Sequence, residues 1–492
     1  MSGDAVHDAR AEAADATRGS GVRLAAEIGG RALSLATSFL IAVGLGVEAF
    51  GVYAALTGVA VILAEAGELG IQGTAQRALV ARTIRLRDLV KTKLALGLLL
   101  VAAAPLVPFA VRSVLSLASG VLPAAAALGA ASRSGLLLVA FVFYFALSGW
   151  SELFGVALRA RGRRGEEAAL ILCLRACGLV AVATAIARAG GLAGVAWAHV
   201  LSTVPPVLLG AFLVRRAHAG DGDEAPAHGI RDVLRVSWPL AVNGGLALLS
   251  LRVELLVIFG LRGPREAGLF GAALKFVESL NAVPAAIAGG AMPALTREAL
   301  RGSGLVRART AATVALLAVP GAAGLALLAP GVSALLGAAY ADAAAPLRVL
   351  APALVALFMN TVLLHALIAA GRAHTLPKLT ALRVLAATAC AFVLVPRFGV
   401  TGAALGFLLS ELILGALAWR ACAAARFPVP LAAPLALAAC VSLPMAAAVA
   451  LFGGGAVAAA LLGALVYGAT LALVWRMAPD RFLRYLHAEV AP

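Results

Sequence analysis

Residues 237–301 read SWPLAVNGGLALLSLRVELLVIFGLRGPREAGLFGAALKFVESLNAVPAAIAGGAMPALTREALR. Two apolar runs meet at a short polar turn, Gly260 to Glu266. Each run is long enough to cross a bilayer, which takes about 20 helical residues. Yet each carries charge in its interior: Arg252 and Glu254 in the first, Lys275 and Glu278 in the second. A charge inside a membrane helix costs at least ~2.5 kcal/mol, so such groups face protein or a wet cavity rather than lipid. Asn243, Asn281 and Pro284 add polar or kinking positions to the same pair. The stretch therefore predicts a helical hairpin that forms one wall of a hydrated central cavity.

The whole chain agrees with that reading. Of its 492 residues 62% are hydrophobic and 13% charged, with a mean hydropathy of +0.99. Soluble domains carry about 25% charged residues. The composition predicts an all-α, polytopic membrane protein. The first ~20 residues are polar and lack the apolar core and cleavage site of a secretory signal, so the first span is expected to insert uncleaved. The five cysteines, at 173, 177, 390, 422 and 440, fall in or beside apolar runs, an odd set that makes no disulfide framework. Cys173 and Cys177 share a helix face, but with no His or acidic residue beside them they read as small packing residues rather than metal ligands. No Walker loop, paired-metal cluster or Ser/His/Asp arrangement is present, so neither enzyme chemistry nor a cofactor is expected. Any drive comes from ions, membrane potential or consumption of the product.

Fourteen spans are expected, near 23–45, 50–76, 94–111, 135–158, 168–188, 192–214, 236–259, 267–296, 305–328, 346–369, 376–395, 399–419, 431–452 and 455–476. The distribution of Lys and Arg tests this count. The N-terminal arm, the connections at 77–93, 159–164, 215–235, 297–309, 372–378 and 420–426, and the tail at 476–484 together hold 28 of the 40. The intervening connections hold only Arg112, Arg133, Arg188, Arg262, Arg265, Arg348 and Arg397. This bias predicts both termini in the cytoplasm; the expected location is the cell inner (cytoplasmic) membrane. The bias also accounts for the net charge of +16 without a nucleic-acid partner.

The two halves echo each other. Gly51-Val-Tyr-Ala54 has its counterpart in Gly268-Leu-Phe-Gly271, Ala157–Arg163 in Ala366–Arg372, and Gly191–Gly194 in Gly399–Gly402, in the same order and at nearly one offset. The unit is six spans, an even number, so the copies are expected to be parallel repeats. The expected domains are an N-terminal six-helix lobe at 1–214, a cytoplasmic linker at 215–235, a C-terminal six-helix lobe at 236–421, and two added helices with a tail at 422–492. Arg481–Leu486 in that tail reads as an interfacial anchor.

Ile28-Gly-Gly-Arg-Ala-Leu-Ser-Leu-Ala36 and Leu45-Gly-Val-Glu-Ala-Phe-Gly-Val-Tyr-Ala54 carry a family likeness. With the six-plus-six-plus-two layout, the chain resembles the bacterial polysaccharide and oligosaccharide flippases. Their superfamily also holds the multidrug and toxin extrusion transporters and the lipid II flippases. The resemblance implies two lobes opening alternately to each side, with a lipid-linked oligosaccharide moved across the membrane and spans one, two, seven and eight lining the path. It also implies membrane lipid, and beyond it polysaccharide polymerase and glycosyltransferases, as partners.

A polyprenyl-phosphate-linked glycan needs a wet, cationic path, and Arg meets phosphate with paired donors. The expected substrate contacts are Arg31, Arg252 and Lys275. Glu65, Glu68, Glu254, Glu278, Asn243 and Asn281 are expected to serve ion coupling or to line the cavity. A structural reading stands beside each. Glu27 and Arg31 lie i, i+4, and Lys275 and Glu278 i, i+3, spacings at which charges cancel on one helix face. Arg252 and Glu254 point to different sides, which leaves Arg252 without a local partner. Glu152, Arg175, Arg383 and Glu411 are assigned to pairing within a lobe, and His199 and His365 to ordinary buried hydrogen bonding. Two other function classes compete. An ion-coupled multidrug exporter calls for acidic residues to dominate the cavity. A membrane-embedded glycosyltransferase or polymerase calls for a sizeable outer loop, and the outward loops are mostly short.

Overall fold

In the computed structural model residues 3–103, 106, 113, 132–218, 226–302 and 304–477 are described. Most of the connection at 112–134, part of the third expected span, and the expected anchor at 481–486 lie outside them. Among the described residues there is no β-strand. The chain divides into two compact units, residues 1–249 and 250–492.

The first unit holds α1 (Gly3–Leu45), α2 (Val47–Glu68), α3 (Ile71–Val80), α4 (Leu86–Ala103), α5 (Ser132–Ala160), α6 (Arg164–Ala187), α7 (Gly191–Ser202) and α8 (Val204–His218). It also takes the first half of α9 (Ile230–Arg262). Leu69 and Gly70 both adopt left-handed backbone, at φ 47° and 76°, and so separate α2 from α3. Only a hydrogen fits at Gly70: a methyl there would stand 2.4 Å from the Ser237 carbonyl oxygen on α9. This close approach lets the Thr74 hydroxyl donate to Ser237 Oγ at 2.7 Å. The apolar interior joins Ile71, Leu89, Leu153 and Val233, and a second group joins Leu56, Leu138, Phe141 and Ala196.

The second unit follows with α10 (Pro264–Leu280), α11 (Ala282–Arg301), α12 (Leu305–Leu327), α13 (Ala329–Leu335), α14 (Ala344–Ala369), α15 (Leu376–Ala424), α16 (Ala432–Leu451) and α17 (Ala456–Met477). Gly263, at φ 92°, and Pro264 at the first helical position turn the chain from α9 into α10. α14 packs on α12 and α15, and α12 on α16. Their shared interior is rich in fully buried alanines, among them Ala311, Ala315, Ala366, Ala387 and Ala403. Without a hydrophobic force between helices in lipid, such small residues let backbones approach and pack.

Eleven described helical segments are long and apolar enough to cross a membrane. The chain is a multi-pass helical membrane protein. The difference from the fourteen expected spans has local causes. Spans eleven and twelve run together as α15, broken inside at Gly399, where φ 53° and ψ −130° interrupt the helix three residues after Pro396. Span eight is divided at Asn281 into α10 and α11. Pro284 has no N–H to offer the Leu280 carbonyl, so the expected kink is a break one turn earlier. The third span is described only as far as Ala103. All five cysteines are free, with Cys173 and Cys177 Sγ 4.0 Å apart on one helix.

Candidate functional site

Four clusters of charged side chains within the helices, two in each unit, bear on a site; a further buried pair, Glu298 with Arg307, joins α11 to α12. In the first unit α1, α3, α5 and α6 enclose a cavity of about 360 Å³. Its wall mixes cations and acids: Arg31 and Glu27 from α1, Glu152 and Arg159 from α5, Glu167 and Arg175 from α6. Gln72, Gln76 and Ser151 complete the polar lining. Arg159 and Glu167 neutralise each other at 2.5 Å. Arg31, Glu152 and Arg175 make no direct ion pair among the described residues. Gly30 allows the Arg175 stem to lie along α1, 3.4 Å from where a methyl would stand. Gln72 donates to the Gly149 carbonyl at 2.6 Å, which leaves its Oε1 shielded and without a partner, like the buried Ser151 Oγ. A polar space of this size with spare donors and acceptors is what a phosphate or a sugar hydroxyl needs.

The second group lies beside it. Glu68 and Lys93 form an almost fully buried ion pair at 2.5 Å, seated on Gly149. Glu65 has no direct partner among the described residues and approaches Gly244 of α9. Asn243 lies on the same helix, and its side chain is outside the described residues.

In the second unit, Arg252 of α9 and Lys275 of α10 share one carboxylate. Arg252 Nη1 reaches Glu278 Oε1 at 2.8 Å, and Lys275 Nζ reaches Glu278 Oε2 at 2.8 Å. Arg252 therefore does have a partner, one that lies on the next helix and not on its own. The helix-surface rule that left it unpaired looks only three or four residues away. Two cations share this one carboxylate, and the three side chains are about a fifth to a quarter exposed. Asn281 follows at the break after α10, its Oδ1 shielded and unpartnered.

The fourth group is dry. Glu254, Arg383 and Glu411 are 1%, 2% and 1% exposed. Arg383 Nη2 stands 2.7 Å from Glu411 Oε1, and its Nη1 donates to the Ser250 carbonyl. Asn360 donates to Glu411 Oε2 at 2.7 Å, and Ser410 to Glu254 Oε1 at 3.4 Å. Arg383 and Glu411, both assigned to pairing within the lobe, pair with each other. Asn360 had no sequence signal beyond being a lone amide in an apolar helix. His199 and His365 bond backbone carbonyls one turn earlier, at 2.9 and 2.7 Å, the ordinary buried arrangement.

Of the expected substrate contacts, the structure brings Arg252 and Lys275 together and places Arg31 at the separate cavity of the first unit. Arg175 and Glu152, expected to pair within the lobe, instead line that cavity.

An all-α multi-pass chain whose charges are gathered into clusters within its helical units has the build of a membrane transporter. Residues 16–298, more than half of the chain, match the family described as polysaccharide biosynthesis protein, and the chain belongs to that family. No curated protein sequence matches it significantly. Among solved structures it is similar to the lipid II flippase MurJ in an inward closed conformation (13% identity, 92% of this chain and 99% of that one, TM-score 0.73). It is also similar to a multidrug resistance MATE family transporter of the MOP superfamily in an inward-facing conformation (17%, 83% and 99%, TM-score 0.60). A third is the eukaryotic MATE transporter AtDTX14 (15%, 87% and 98%, TM-score 0.58). At such low identity these likenesses establish the fold.

Proposed function

We propose that the protein moves a lipid-linked oligosaccharide, a glycan on polyprenyl phosphate or diphosphate, across the cytoplasmic membrane by alternating access, for cell-surface polysaccharide biosynthesis. It is a transporter and not an enzyme. Both termini are cytoplasmic, and the six-helix lobes are 1–214 and 236–421. Arg31, Arg252 and Lys275 contact the head group. Polysaccharide polymerase and glycosyltransferases act before and after it. Family membership supports this reading. The observation that carries it is the Arg252–Glu278–Lys275 group, two cations on one carboxylate in partly exposed mid-span positions. Cations gathered at a partly exposed position within the spans offer charge-assisted donors to an anionic head group. The Arg31 cavity, with its interleaved donors and acceptors, suits the hydroxyls and phosphates of the same substrate.

Replacing Arg252 by Ala tests this. Surface glycan is expected to be lost while protein level and insertion stay normal; glycan at wild-type amounts would remove Arg252 from the substrate path. A second reading, an ion-coupled multidrug exporter of the same superfamily, is favoured by Glu65 and Glu152, carboxylates without a direct partner among the described residues. It requires that expression raise tolerance to cationic drugs, which the leading reading does not.

A further inference from the structure

Outward-facing connections of membrane proteins are poor in Lys and Arg, and in this chain only seven cations lie in the connections on the side opposite the termini. Three of those seven come together in the second unit. Arg262 ends α9, Arg265 opens α10 and Arg348 lies in the first turns of α14, and all three line one cleft of about 690 Å³. The backbone at Gly399–Thr401, where α15 breaks, forms its floor. Gly399 is needed there: its φ is +53°, and a methyl would stand 2.8 Å from Glu266 Oε2 and 3.2 Å from Arg262 Nη2. The Arg262–Glu266 pair, at 3.1 Å, therefore packs directly on the chain break. Arg265 meets Asp342 at 3.4 Å, but both side chains are more than half exposed, so this pair opens easily. Arg348 is exposed and has no ion pair among the described residues. Three guanidinium groups face two carboxylates, and the cleft carries a net positive charge.

We propose that this cleft is a phosphate site at the outer ends of spans seven to twelve. It takes the phosphate or diphosphate of a lipid head group on Arg348 and Arg265, whose planar donors match phosphate oxygens in pairs. The outward assignment rests on the orientation proposed above; the gathering of the three arginines does not. Two sources share this chemistry: the carrier diphosphate of a translocated glycan, and the head group of an anionic phospholipid in the outer leaflet.

The test uses the full chain with its five native cysteines replaced and with Ala345→Cys, a change at an exposed residue of the cleft wall. The readout is the rate of labelling by a membrane-impermeant maleimide. In phosphatidylcholine vesicles, inorganic diphosphate is expected to slow labelling, and Arg348→Gln or Arg265→Gln to raise the concentration required about tenfold, the loss of one charge-assisted contact. Slowing by diphosphate assigns the carrier phosphate. Slowing by phosphatidylglycerol in the vesicle alone, abolished by the same variants, assigns the phospholipid. Labelling that neither probe slows, or slowing that both variants leave unchanged, overturns the site. A normal size-exclusion profile of each variant excludes misfolding as the cause. Labelling of intact cells reports orientation separately: a thiol introduced by Ala345→Cys that reacts only after permeabilisation defeats the outward assignment while protection in vesicles still decides the site.

Discussion

Arg383→Gln removes the one cation from the dry group in the second unit, and its cost can be worked from the contacts. Wild type holds two carboxylates, Glu254 and Glu411, around one guanidinium, a formal surplus of one negative charge, with every member at most 2% exposed. The substitution removes the 2.7 Å pair with Glu411, the donation to the Ser250 carbonyl and the packing of the guanidinium over the Phe407 ring at 5.3 Å. It leaves Glu254 and Glu411 buried without their cation. Breaking a buried pair by removing one partner costs about 3–5 kcal/mol. That is a large part of the total of about 5–15 kcal/mol that holds a folded domain. The variant is expected to be depleted in membranes and, in detergent, to lose its fold at a markedly lower temperature. Arg383→Gln combined with Glu411→Gln removes the carboxylate that lost its partner and keeps an acceptor for Asn360. The double variant should regain about 2–3 kcal/mol over the single one, because the residues are in direct contact and their effects do not add. Thermal unfolding of purified protein, followed by tryptophan fluorescence, measures both. A single variant as stable as wild type, or a double variant no better than the single one, would refute the view that this group is structural.

Two further outcomes follow from the first unit. Gly70→Ala places a methyl 2.4 Å from a backbone oxygen at φ 76°, so about 1–2 kcal/mol of left-handed strain adds to a comparable cost of overpacking. A loss of about 3 kcal/mol in thermal unfolding is expected, with a Ser237→Gly partner giving no relief because the contact is to backbone. Arg175→Gln keeps a polar side chain at the cavity wall but removes its charge; surface glycan should fall several-fold with protein level unchanged, and a wild-type level would restrict the cavity to Arg31.

Composition and hydropathy alone dictate that this chain spans a membrane many times, because no soluble fold hides 62% hydrophobic residues behind 13% charged ones. The same logic marks Arg31, Arg252, Lys275, Glu254 and Glu278 as special, since a charge in an apolar run demands a reason. Local rules also reach the turn at Gly263–Pro264 and the interruption near Pro284. What they do not reach is who meets whom. Arg252 finds Glu278 from another helix, Glu68 finds Lys93 across α2 and α4, and Arg383 finds Glu411 inside one bent helix, pairings that depend on how helices pack and have no fixed sequence spacing. Sequence periodicity shows a face and not its neighbour, so the same residue type reads alike whether its charge is cancelled or spare. Tertiary structure decided that Arg383 is cancelled in a dry interior, that Arg31 and Arg175 keep their donors at a polar cavity, and that Arg252 and Lys275 divide one carboxylate between them. The physical reason is that a buried charge is governed by everything within a few ångströms of it, and in a packed helical protein most of those atoms come from far along the chain.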